Sequence, residues 1–408
     1  MQRRIDLDHP FETLYNGSVL TPAAPSRASP FVRCRVTWLA YGLLAYMTFM
    51  PSALGPLMPY MRDELDLSYT LSALHLSVIA LGMILSGLTA DRLLASLGRR
   101  RLLWAASIGS CIGTLGLTLN RVIFLTLPSA LLMGISGSLM VIMIQAILSD
   151  VHGDHRVIAL MESNVAASLS SLLAPLWASL FLRLGFSWRL ALGSGLIALA
   201  VIAVFMKGTT VPEGGSTKLK QPARLQKLPG VFWACWIVIV LVVSIEWCMI
   251  FWSASYLEKV VGLARIDAVT AVSLFFFAML AGRIGGSALA RRFSAVVILL
   301  AALALTLAGF PLFWLGTRPW VNLAGLFITG FGVANLFPLA MSAAIGLAVQ
   351  QVDQASSRVA LASGSAIFGA PLALGWLADQ VSIQNAYGVV APLLLAAIAI
   401  TWWLRQQL

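Results

Sequence analysis

Of the 408 residues, 59% are hydrophobic and only 11% charged, whereas a soluble globular domain carries about 25% charged residues, so a water-soluble fold is excluded. The net charge of +11 is spread over many short polar stretches rather than gathered into one patch. That distribution excludes a nucleic-acid interface as its cause.

In chain order, residues 1–35 are polar, contain prolines and mix arginines with acids, with no apolar core ahead of a small-residue cleavage site. They are expected to form a cytoplasmic tail rather than a signal peptide. Apolar stretches long enough to cross about 30 Å of hydrocarbon as helices follow at Val36–Tyr60, Leu71–Ala90, Leu102–Leu119, Val122–Leu148, Val157–Leu184 and Arg189–Met206. A polar interruption rich in Lys, Gly, Thr and Pro then runs from Lys207 to Gly230, and reads as a linker over 207–228. Further spans are predicted at Pro229–Tyr256, Ala268–Ala288, Ala295–Gly316, Trp320–Leu347, Val359–Ala378 and Ala386–Leu404. The predicted architecture is therefore an all-α membrane protein of twelve transmembrane helices. It divides into a six-helix bundle at 36–206 and a second at 229–408.

An even number of spans puts both termini on one side. Of the 27 Lys and Arg, 19 fall in segments on that side and 7 on the other. By the positive-inside rule both termini are expected in the cytoplasm of a bacterial inner membrane.

The second half repeats the first at an offset of 196 residues: Gly134 falls on Gly330, Ala174-Pro175-Leu176 on Ala370-Pro371-Leu372, and Tyr60 on Tyr256. Two homologous helical bundles are the common basis of alternating access in secondary transporters.

Between the second and third spans stand Gly87, then Asp91-Arg92, then Gly98-Arg99-Arg100-Arg101. Gly87 suits close helix packing in lipid, Asp91 at a helix end calls for a cation, and Gly98 permits a turn. With these residues the chain resembles the major facilitator superfamily, whose signature in that loop is a glycine, an acid-base pair and a glycine with basic residues. Here the gap from Arg92 to Gly98 is wider than is usual there. The resemblance covers essentially the whole membrane region. It implies that helix two faces helix eleven and helix five faces helix eight, with helices one, four, seven and ten lining a central cavity.

The repeat offset maps Glu162 onto Arg358, opposite charges at equivalent sites. Under the resemblance, Asp91 is expected to pair with Arg358, and Glu162 with Arg283 or Arg291. These pairs would lock the cytoplasmic side of an outward-facing state. The plainer alternative is that each charge caps a helix or meets lipid headgroups.

Glu162 and Glu246 are the two acids well inside predicted spans. A lone carboxyl at membrane depth is expensive when charged, so Glu246 is the expected proton-coupling residue, with Trp247, Phe251 and Trp252 placing aromatic rings near it. Tyr41, Tyr46, Gln145 and Asn335 are further cavity candidates, as is Met50, the repeat partner of Glu246. Each could equally be a helix-bridging or packing residue. His75 is expected to be packed and neutral.

The four cysteines show no metal-ligand or disulfide spacing, and no nucleotide-binding loop is present. Neither a cofactor nor an enzymatic activity is expected. The expected function is proton-coupled secondary transport of a small solute across the bilayer by a monomer. Efflux of drug-like or amphipathic compounds and flipping of lipid-like cargo remain the alternatives.

Overall fold

The computed structural model describes residues 31–205, 207–212, 227–289, 292–348 and 351–407. The first half contributes α1 (Arg35–Glu64), α2 (Tyr69–Leu97), α3 (Arg99–Leu119), α4 (Ile123–His152), α5 (Arg156–Arg183), α6 (Trp188–Gly193) and α7 (Gly195–Phe205). The second contributes α8 (Gly230–Lys259), α9 (Arg265–Leu289), α10 (Ala295–Leu315), α11 (Pro319–Val333), α12 (Leu336–Gly346), α13 (Val352–Gln380), α14 (Ile383–Tyr387) and α15 (Val390–Gln407). In hydrocarbon every backbone amide and carbonyl must be satisfied within the segment, which leaves the helix as the available form for such apolar stretches.

By length and composition, 10 stretches of the described residues can cross a membrane. One of them, Ile123–Arg183, is α4 and α5 joined by a single 3-10 turn at Gly153–His155, where Gly153 takes a positive φ of 47°. The 30-residue α1 has the length but is not among the ten; Pro51, Pro56 and Pro59, with three tyrosines, dilute its hydropathy. Three predicted spans are broken pairs: α6 with α7 around Ser194, α11 with α12 around Asn335, and α14 with α15 around Gly388.

The repeat is visible in the packing. α1 lies on α5 as α8 lies on α13, α2 on α4 as α9 on α11, and α3 on α4 as α10 on α11. A Cβ at Gly134 would strike the carbonyl of Ile79, and one at Gly330 that of Phe275, the residue 196 positions beyond Ile79. Glycine at these two sites lets the helix backbones touch, which in lipid is the main source of helix association. Across the halves, α2 packs against α13 and α5 against α9. These are the pairings expected for helices two, eleven, five and eight.

Because the helices alternate in direction, each belongs to two faces. The terminal face carries the start of α1 and the end of α15, and the distal face carries the α1–α2, α5–α6 and α8–α9 connections. The predicted tail and linker lie largely outside the described residues.

Candidate functional site

The distal face is closed by polar contacts that bridge the halves. Arg265 at the start of α9 binds Asp63 at the end of α1 and also Glu258 at 2.8 Å, with its guanidinium 5.1 Å from the centre of the Tyr60 ring. Arg183 at the end of α5 pairs with Asp267, and below it Ser179 bonds Thr270 at 2.6 Å. On the other side, the carboxylate of Asp379, at the end of α13, accepts from the amides of Tyr69 and Thr70, both at 2.8 Å, and from the Thr70 hydroxyl. An anion there meets the unsatisfied donors and positive end of the α2 dipole. Beneath this layer Trp252, fully buried, donates to the Pro371 carbonyl at 3.0 Å, and Gly55 lets α1 touch the backbone of α8 at Ile250.

A cavity lies on the terminal side of that seal, in two lobes. The polar lobe, about 160 Å³, is lined by Thr48 and Ser52 of α1, Ser168 and Ser171 of α5, Glu246 and Trp247 of α8, and Arg283 of α9. The apolar lobe, about 260 Å³, is lined by Met47 and Met50 of α1, Met83 of α2, Met133 and Val141 of α4, and Ile367 of α13, among others. Thr48, Pro51 and Trp247 line both, so the lobes meet along those side chains. Glu246 is partly exposed to this space and, among the described residues, makes no hydrogen bond or ion pair, whereas Arg283 donates from Nη1 to Ser168 Oγ at 2.7 Å. The two charges face one lobe without reaching ion-pair distance.

Among the described residues, the ion pairs seen on the terminal face lie within the first half. Arg33 holds Glu162 through Nε at 2.7 Å and through Nη2, and Tyr41 donates to the same carboxylate at 3.0 Å. The Glu162 carboxylate raises the Arg33 guanidinium pKa above its ordinary value. Buried Arg99 pairs with Asp150 at 2.7 Å. Gly98, with φ of 74°, makes the turn between α2 and α3 as expected.

Asp91, Arg92 and Arg100 are exposed, and no ion pair joins Asp91 to Arg358 in this structure. Gly87 has no neighbouring atom within 4 Å of a Cβ position, so the expected close approach is not made there. Along α2 the contact with α13 runs from Thr70 through Ser77, which donates to the Phe368 carbonyl at 2.6 Å, to Ile84, against which Gly364 packs. Seven residues on from Ile84 stands Asp91, and six back from Gly364 stands Arg358. The two are in register on the terminal face, where α2 carries no packed glycine.

The same argument separates Glu162 from Arg283. Arg283 lies opposite Ser168, six residues from Glu162 along α5, or about 9 Å at 1.5 Å per residue. Arg283 thus belongs to the cavity, Glu162 is bound by Arg33, and Arg291 lies outside the described residues. Of the other candidates, Glu246, Trp247 and Met50 line the cavity. Tyr46 is buried on Ser110 at 3.3 Å, Asn335 donates to the Gly282 carbonyl at 2.6 Å, and Gln145 is exposed outside both lobes. Among the described residues α11 and α12 give nothing to the lining, and α2, α5 and α9 contribute instead. Phe251 and Trp252 are packed, not cavity-lining. His75 is buried, its ring nitrogens on the Leu71 carbonyl and the Thr126 hydroxyl.

The cross-half charges of the distal face lie far apart in the sequence, and no local pattern joins them. The available signal was the repeat itself: Asp379 is the partner of Arg183 at the same offset, opposite charges at equivalent helix ends.

A sequence model of the Major Facilitator Superfamily matches residues 37–360. An uncharacterised MFS-type transporter of Yersinia pestis is 27% identical over 154 residues, 38% of this chain and 40% of that one. An uncharacterised transporter of Sinorhizobium fredii is 30% identical over 139 residues, 34% of this chain and 37% of that one. The chain thus spans about two fifths of the length of these curated relatives. In fold it is similar to a bacterial homolog of the human lysosomal transporter Spinster in an inward-facing, occupied conformation, with a TM-score of 0.70, 12% identity, and 93% of this chain and 98% of that one covered. It is also similar to the peptide transporter POT in complex with sulfate, with a TM-score of 0.73, 15% identity and coverages of 91% and 94%. A D-xylose-proton symporter gives a TM-score of 0.68 at 15% identity, with coverages of 90% and 96%. With its matched helices, its paired halves and the cavity between them, the chain belongs to the Major Facilitator Superfamily and is a multi-pass membrane protein.

Proposed function

We propose that this protein is a secondary transporter of a small solute, working by alternating access, with Glu246 as its proton-carrying group. One observation carries the reading: an unbonded carboxyl lines a cavity between the halves, directly beneath a distal face closed by cross-half charges. A carboxyl at membrane depth costs much less neutral than charged, so proton uptake and release at Glu246 can be tied to which face is open. On this reading the cross-half contacts of the distal face belong to a state open toward the terminal face. Rocking the halves would break the Arg265–Asp63, Arg183–Asp267 and Asp379–α2 contacts and bring Asp91 onto Arg358. The excess of Lys and Arg on the terminal face supports a cytoplasmic location for both termini in a bacterial plasma membrane, and a cavity complete within one chain supports a monomer.

The test is transport in proteoliposomes loaded with a pH-sensitive dye, challenged with D-xylose, uridine, dialanine, hexylammonium and hexanoate in turn. The expected result is internal pH change with at least one solute in wild type, lost in Glu246→Gln while counterflow of that solute persists. Proton movement that survives in Glu246→Gln would remove the coupling role, and absence of any solute movement would remove the transporter reading for these classes. The methionine-lined lobe favours an amphipathic solute over a sugar.

A further inference from the structure

We infer that the cargo is an amphipathic organic anion, its carboxylate held by Arg283 in the polar lobe and its apolar body lying in the methionine-lined lobe. This rests on the transporter reading above and narrows it. Arg283 is the one cation among the described residues lining either lobe, and it is permanently charged. One donor is committed to Ser168, which fixes the plane of the guanidinium. The remaining donors face a lobe in which Ser52 and Ser171 supply hydroxyls. A guanidinium fork matches a carboxylate in two parallel hydrogen bonds.

With Glu246 protonated, the charge balance also calls for an anion. Among the described residues, of the titratable and charged groups on the helices packed against α8, Arg283 of α9 alone shares the lobe with Glu246; α1, α11, α12, α13, α14 and α15 bring no charged side chain to it. While the terminal face is open, water screens Arg283, which is exposed. Closing that face over a protonated Glu246 would leave the guanidinium sealed without a counter-charge, a costly state. A carboxylate carried by the solute supplies it, and a neutral or cationic solute does not. Beyond Trp247 the space is apolar, with Met47, Met50, Met83 and Met133 on its walls. Flexible thioethers adapt to an aliphatic body of variable shape.

The test is thermal stabilisation of the purified full chain in nanodiscs at constant pH by four probes at matched concentration: hexanoate, acetate, hexanol and hexylammonium. Hexanoate is expected to raise the melting temperature by several degrees, acetate to a small fraction of that, and hexanol and hexylammonium not at all. Arg283→Gln should abolish the hexanoate effect and Arg283→Lys reduce it, each with an unliganded melting temperature near wild type. Ser138→Phe, which fills the apolar lobe, should cut the hexanoate response to that of acetate. A response to hexylammonium or hexanol equal to that of hexanoate overturns the inference, as does full retention of the hexanoate response in Arg283→Gln. If a neutral solute drives proton movement in liposomes while hexanoate does nothing, transport stands and this anion site falls. If hexanoate binds through Arg283 yet no solute is moved, the site stands and transport falls.

Discussion

The two faces of the molecule use charge in opposite ways. On the distal face Asp63, Arg265, Arg183, Asp267 and Asp379 reach across from one half to the other. On the terminal face Arg33 with Glu162, and Arg99 with Asp150, stay within the first half. Where the halves are pinned to each other the cavity is closed, and where no ion pair among the described residues joins them the halves are free to part. Ion pairs near water contribute little net energy, so such a seal can be broken and remade at modest cost, which a moving interface requires.

The contrast can be strained hardest at Arg265. It is 28% exposed and serves two carboxylates, one of them, Glu258, 11% exposed. Arg265→Ala is expected to lower stability by about 2 kcal/mol, below the cost of breaking a fully buried pair, and to raise labelling of a cysteine placed at Thr270. An unchanged melt and unchanged labelling would show that this cluster does not close the face. Asp379→Ala should cost about 1 kcal/mol, as the loss of a helix N-terminal acceptor does, read as a drop in melting temperature that Asp379→Asn partly restores. A smaller effect is expected at Arg183–Asp267, whose side chains are 54% and 55% exposed; a double-mutant cycle should return a coupling below about 1 kcal/mol. Smallest of all, Asp91→Asn and Arg358→Gln should each leave stability within about 0.5 kcal/mol of wild type while shifting terminal-face cysteine accessibility. A large destabilisation by either would mean that the pair is closed in the resting protein.

Much of this arrangement was legible in the sequence. Hydropathy marked the helices, and the 196-residue offset marked Gly134 and Gly330, which pack against equivalent carbonyls because helix approach in lipid depends on small residues that a repeat preserves. Glu246 was legible because a carboxyl inside a span stands out against apolar neighbours. Arg283 was placed at a gate instead of in the cavity because its depth depends on the register of α9 against α5, fixed by Ser179–Thr270 and Arg183–Asp267. The partner of Glu162 was missed for a similar reason. Arg33 stands 129 residues away, just ahead of the first span, and no local pattern joins the two. Asn335 read as a cavity amide, but the break between α11 and α12 frees it to bond α9 at Gly282.

The most direct test of the central claim is the distance across each face in liposomes, measured by spin labels at Phe186 and Ala264 on the distal side and at Ala95 and Leu289 on the terminal side, at pH 5.5 and 7.5. The account predicts that the two distances change in opposite directions between the two conditions, and that Glu246→Gln removes the dependence on pH. Distances that move together, or that do not move at all, would contradict alternating access governed by Glu246.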